Sequence, residues 1–348
     1  MRLNNFALAL GLGVAMLCSA CAQSSSAPKD GTASPQTSTS TPQDAAPQTV
    51  AQNVAPEKPI AQMQAPPSTV AHVAAPRINA ARAMQYTREI VNMGPRPIGS
   101  PAHARLEAYL RLQLKKTAAN VQEDVFTAQT PAGAFPIRNF IAEYPGSRDG
   151  VVVIASHYDT VLPLKNFVGA NDGGSSTGLL LELGNELHSK GKLPGYSVWL
   201  VCLDGEEAVK EWTDTDSVYG SRHLAEKWQA DGTNKKIKAF LLADMIGDKD
   251  LDIDRDESST PWLEDLVFQA STNLGLQSYF FARTIGIDDD HIPFAKNGVP
   301  VADLIDFSYG YNNVFWHTPQ DTLDKLSPRS LEITGNVLLE TKRLLDEK

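Results

Sequence analysis

Residues 196–225 read YSVWLVCLDGEEAVKEWTDTDSVYGSRHLA, and their interpretation decides the fold. The opening run, Tyr196–Cys202, is dominated by apolar and β-branched side chains, the pattern of a strand buried on both faces. It ends at Leu203-Asp-Gly, and two adjacent acids follow, Glu206 and Glu207. Acids just past the carboxyl end of a buried strand stand where open α/β sheets place their ligand sites. Neighbouring carboxylates repel, so ionising both is costly unless a cation lies close. A divalent metal resolves the conflict: one glutamate ligates it and the other stays free to move protons. An isolated EE pair is ordinarily solvated surface, but here other strand ends supply matching residues.

Working outward, Val151–Ser156 predicts a buried strand ending at His157 and Asp159, Ala239–Ala243 one ending at Asp244, and Val299–Ile305 a fourth. Helices are predicted over Ala80–Val91, Ala102–Lys115, Ser176–His188 and Pro261–Leu274, the first two separated by a rigid Gly/Pro loop, 94–101. Tyr219–Arg222 reads as a turn into a helix, with Ser221 near its N-cap. Ser327-Pro328 supplies an N-cap and a first-turn proline for a last helix reaching Leu345. Strands alternating with helices predict an α/β fold: a mostly parallel or mixed central sheet with helices on both faces.

The chain has 348 residues, 42% hydrophobic and 21% charged, which suits one large globular domain, 77–348, preceded by something else. Residues 1–22 carry one early charge, Arg2, and an apolar run from Phe6 to Leu17, the layout of a signal peptide. Leu17–Cys21 resembles a bacterial lipobox with Cys21 as the acylated residue, while Ala20-Cys-Ala22 is also a small-x-small cleavage site. Residues 23–76 are rich in Ala, Pro, Ser, Thr and Gln, so they cannot bury enough apolar surface to fold and read as a disordered tether. The expectation is an exported protein, a periplasmic or cell-envelope lipoprotein or a secreted one, that meets membrane only through an N-terminal lipid anchor. The formal net charge of -10 argues against nucleic acid as a partner. Cys202 is alone in the folded part, so no disulfide is expected within it.

Five places offer metal ligands: His157, Asp172 in NDGG, the Glu206-Glu207 pair, Asp244, and His317 in FWHTPQDT. Each has an ordinary alternative. His157 could be a core histidine satisfied by Asp159, Asp172 could cap the helix that follows, and His317 could be a plain loop residue. Together, imidazoles and carboxylates at strand ends are the ligand chemistry of zinc.

The order of these residues and their flanks resembles the zinc-dependent aminopeptidase superfamily. More narrowly, the stretch from Asp204 to Ala225, then DDDHIPFAKNGVPVADLI from Asp288, then Trp316-His-Thr, resembles the animal-type glutaminyl-peptide cyclotransferases over nearly the whole domain. That resemblance implies one zinc held by Asp172, Glu207 and His317. It implies Glu206 as the proton shuttle, Asp244 and Asp289 as further catalytic carboxylates, and Trp212 and Trp316 as walls of the substrate pocket. Peptide or protein N-termini are then the substrates. The two-metal aminopeptidases would add a second zinc held by His157 and Asp244 with Asp172 bridging, so the metal count stays open, as does hydrolysis of N-terminal residues. A non-catalytic relative ranks last, because every ligand is present. Ser156, Asp303 and the loop 306–315 depart from the vertebrate cyclases, and that loop is expected to shape the pocket.

Overall fold

The computed structural model describes residues 77–348 apart from Pro163; the signal peptide and tether expected over 1–22 and 23–76 lie outside the described residues. The described chain opens with α1 (Ala80–Val91) and α2 (Pro101–Thr117), then runs β1 (Asn120–Thr130), β2 (Gly133–Tyr144), β3 (Gly146–His157), α3 (Gly174–Ser189) and β4 (Leu193–Leu203). It continues through α4 (Tyr219–Asp231), β5 (Ile237–Asp244), β6 (Ile253–Asp256), α5 (Pro261–Asn273), β7 (Phe280–Ile285), α6 (Ile292–Lys296), β8 (Val301–Ile305) and α7 (Pro328–Asp346).

Six strands form one mixed sheet in the order β1-β2-β4-β3-β5-β8. Strands β4, β3, β5 and β8 are parallel, and the β1–β2 hairpin joins antiparallel along β4. The central strands are apolar on both faces for a visible reason. Along β3, Val152 and Ile154 enter one core, and Val151, Val153 and Ala155 enter the other. The first core is closed by α1, α2, α3, α5 and α7, the second by α4 and α6. The predicted α/β architecture with helices on both faces is therefore the observed one.

The chain leaves β3 for β4 on one side, then crosses back to β5 on the other. Helices α3 and α4, which make these two crossovers, pack on opposite faces. Such a reversal opens a crevice at the carboxyl ends of the strands.

Some local expectations are corrected. The β1–β2 hairpin carried no apolar run: of NVQEDVFTAQT in β1, only Asp124 and Ala128 are buried. The small parallel sheet β6–β7 was likewise not anticipated. Helix α4 is capped by Val218, at φ 42, not by Ser221, whose hydroxyl lies inside the first turn and donates to the Val218 carbonyl at 3.1 Å. The fourth strand starts at Val301 because the Val299 N–H is already spent on the Phe294 carbonyl. Among the described residues, no helix is long and apolar enough to cross a membrane.

Candidate active site

The carboxyl ends of three central strands bring the proposed ligands together. His157 ends β3, Glu206 and Glu207 follow β4, and Asp244 ends β5. Asp172, in the loop before α3, lies between two imidazoles: its Oδ1 is 3.2 Å from His157 Nε2 and its Oδ2 is 3.4 Å from His317 Nε2. His157 Nε2 is also 3.1 Å from Asp244 Oδ1, and His317 Nε2 is 3.2 Å from Glu207 Oε2. Two donor sets result, His157/Asp172/Asp244 and Asp172/Glu207/His317, each with its ligand atoms within 4.8 Å of one another.

The chemistry of these sets fits a divalent metal. Asp172 Oδ2 and Glu207 Oε1 are buried with no hydrogen-bond partner. Stranding carboxylate oxygens in this way is expensive unless a cation takes them. Two carboxylates and an imidazole form a zinc-type ligand set. A third cluster, His103/Glu107/Asp204, is different. There His103 Nε2 and Asp204 Oδ1 pair at 2.7 Å and the Arg138 N–H donates to Asp204 Oδ2 at 2.8 Å, so Asp204 is already satisfied.

Electrostatics follow from burial. Burial pushes the Glu206 carboxyl well above the usual glutamate range, against the pull of His157. Glu207 is pushed up to about 7, by burial first and then by Asp172. Asp289 also rises to about 7, by burial and then by Asp244. Burial pushes Asp172 up as well, but His157 and His317 outweigh it and hold it below the usual range. Burial pulls His317 down, yet Asp172 and Glu207 raise it to about 10.

A cavity of about 390 Å³ opens over these groups. Asp172, Glu206, Glu207, Asp244, Asp289 and His317 line it, with Ile287, Ile305, Phe307, Trp212 and Trp316 as apolar walls. Trp212 and Trp316 stay 38% and 36% exposed, so they are rim residues rather than core. Trp316 stacks on His317 with ring centroids 4.1 Å apart. The loop carrying Trp212 is shaped by Asp216, whose carboxylate accepts the N–H groups of Val209, Lys210 and Glu211 and the Tyr219 hydroxyl.

Several contributors escaped sequence reasoning. Asp159 accepts the backbone N–H groups of Glu206 and Glu207, a role its position two residues after His157 only hinted at. Arg96, fully buried, donates to the carbonyls of Tyr158, Val168, Gly169 and Asp172, and so moulds the loop that presents Asp172. No ion pair with a carboxylate gave it away. The divergent loop 306–315, by contrast, was expected to shape the pocket, and it supplies the cavity wall Phe307. Asp303 is buried with its Oδ2 3.7 Å from His291 Nδ1, beneath the segment of Asp289.

Comparison with known proteins places this geometry in context. The family model described as Peptidase family M28 matches residues 139–342. A glutaminyl-peptide cyclotransferase of Drosophila melanogaster is 31% identical over 255 residues, covering 65% of this chain and 70% of the relative. The crystal structure of an Acidobacteriales bacterium glutaminyl cyclase is 51% identical with a TM-score of 0.77, covering 82% of this chain and 99% of that one. A Zn-dependent exopeptidase of Parabacteroides distasonis is 25% identical with a TM-score of 0.69, covering 79% and 100%.

Proposed function

This chain belongs to peptidase family M28, among its glutaminyl-peptide cyclotransferases, and on that footing we propose that it closes the N-terminal glutamine of peptides and proteins to pyroglutamate, with release of ammonia. The observation that supports this reading best is the convergence of Glu206, Asp244 and Asp289 on one aromatic-rimmed cavity that also holds a zinc-type donor set.

Asp172, Glu207 and His317 are the residues that would hold zinc. When bound, zinc supplies a Lewis acid for the carbonyl of the glutamine side chain. A single ion is favoured by the position of His157, which, unlike Asp172, Glu207 and His317, does not line the cavity.

The remaining chemistry falls to the protein. Glu206 takes a proton from the substrate's α-amine as its nitrogen attacks the side-chain carbonyl carbon and the five-membered ring closes. The bond to the amide nitrogen then breaks, and Glu206 returns the proton to the departing ammonia. A carboxyl raised above its usual range suits both halves of that exchange. Asp244 and Asp289 hold the departing nitrogen; Asp289, at about 7, is able to act as hydrogen-bond donor or acceptor. The walls of Trp212, Trp316, Phe307 and Ile287 keep competing water away from the reacting carbonyl.

Mass spectrometry of zinc-loaded protein with a short Gln-peptide and a matched Leu-peptide tests the reading. Ammonia loss from the Gln-peptide alone is expected. Free leucine, with the Gln-peptide intact, would overturn it in favour of hydrolysis. Export and a lipid on Cys21 belong to the proposal too and rest on residues 1–22. Fatty-acid label in the parent chain that is lost in Cys21→Ala is the expected result, and an unlabelled parent removes the anchor.

A further inference from the structure

The loop that presents Asp172 is tied to the segment that presents His317 by one buried carboxylate. Asp321 has no exposed surface. Its Oδ1 accepts the backbone N–H of Asn171 at 2.8 Å and the Tyr309 hydroxyl at 2.7 Å, and its Oδ2 accepts the backbone N–H of Asp172 at 3.2 Å. On the far side of the same residue, Arg96 Nη2 donates to the Asp172 carbonyl at 3.2 Å. Both polar groups of the Asp172 main chain are therefore gripped by buried side chains.

Asp321 is itself rigidly related to His317. The Asp321 N–H donates to the Thr318 carbonyl at 3.1 Å, and the Thr318 hydroxyl donates to the Phe315 carbonyl at 2.8 Å. These bonds enclose His317, which sits at φ 51, a left-handed conformation that persists in a non-glycine residue only where its surroundings impose it. Asn171 extends the connection: its side chain donates to the Met245 carbonyl at 3.1 Å and accepts the Gly247 N–H at 2.7 Å, next to Asp244.

We infer that Asp321 is a positioning residue that fixes the Asp172 carboxylate relative to His317 and thereby sets how tightly zinc is held. The inference rests on Asp172, Glu207 and His317 being the metal holders. Partners that orient ligands from behind typically govern metal affinity on the order of 10–100-fold. An asparagine here keeps the shape but turns an amide N–H₂ toward a backbone or hydroxyl donor, so at least one of the bonds is lost.

The test uses the full chain and competes a chelator for Zn²⁺ in the parent, Asp321→Asn and Tyr309→Phe. Asp321→Asn is expected to bind Zn²⁺ on the order of 10–100-fold more weakly. Its metal-free form should keep the parent's far-UV circular dichroism and a single thermal transition, and its activity should return at high zinc, shifting the zinc half-saturation rather than kcat. Tyr309→Phe, which spares both backbone bonds, should show a smaller loss of affinity. A folded Asp321→Asn protein that binds Zn²⁺ within about twofold of the parent, the scale of an ordinary neutral substitution, overturns the inference. If Asp321→Asn does not fold, Tyr309→Phe decides: weaker zinc at unchanged metal-free stability upholds the inference, and unchanged affinity overturns it. A parent chain that binds zinc but leaves the Gln-peptide untouched sinks the cyclase reading without touching this one.

Discussion

Asp159 Oδ1 accepts the backbone N–H of Glu206 at 3.1 Å, across 47 residues of chain. Its other oxygen accepts the N–H of Glu207 at 3.3 Å, so one carboxylate sets the peptide from which two acids diverge. Glu207 points to His317, while Glu206 Oε2 lies 3.8 Å from His157 Nδ1. The two acids should therefore separate by mutation. Glu206→Gln should lower kcat on the order of 10²–10⁴-fold, the range for loss of a general acid–base group, while zinc binding by chelator competition stays that of the parent. Surviving turnover would show that the proton travels by another group.

Metal removal gives a second prediction. Prolonged chelation should abolish turnover, and added Zn²⁺ should restore it. His317→Ala should lose zinc under conditions where the parent retains it, because two unpartnered carboxylate oxygens cannot replace an imidazole ligand. Elemental analysis of active protein should give about one zinc per chain. A ratio near two in fully active protein would contradict the single-ion assignment.

The two rim tryptophans should behave differently. Trp212 is 38% exposed on a loop braced independently by Asp216, so Trp212→Ala should raise KM roughly tenfold with kcat little changed, from loss of one stacking surface. Trp316 stacks on His317 and meets Phe307 edge-on, at 4.1 and 4.9 Å. Trp316→Ala should therefore weaken zinc binding as well as substrate binding. Equal effects on zinc affinity in the two variants would contradict this division.

Stability should carry a signature of the hairpin. Arg111 donates twice to Glu123, at 2.6 and 2.9 Å, and Arg138 donates to it at 2.5 Å, which joins α2, β1 and β2. Arg111 first, then Arg138, hold the Glu123 carboxyl down at about 2. A carboxyl lowered on folding stabilises above its unfolded value and loses that contribution as pH falls toward its folded value. Glu123→Gln should thus cost about 1 kcal/mol at neutral pH, a modest figure for a pair that solvent partly reaches. The gap from the parent in urea unfolding should stay constant above about pH 5 and shrink between about 4.5 and 2. A gap that does not change with pH would remove the ion-pair explanation.

The architecture was legible where burial is two-sided. Strands β3, β4 and β5 put apolar side chains into two cores at once, and a continuous apolar run is the imprint of that burial. Strand β1 was invisible because most of its residues face solvent and its pairing is made by backbone groups that every residue carries. At the site, the residue types and their order were legible in the chain: an imidazole at 157 and acids at 206, 207 and 244 by the strand ends, with an acid at 172 and a second imidazole at 317. Folding alone reveals that Asp172 stands between the two imidazoles, that Asp159 orients both glutamates, and that Arg96 and Asp321 grip the Asp172 main chain from opposite sides. These contacts, most of them from side chains to backbone, run across as many as 150 residues and so leave no periodicity and no composition in the sequence to read.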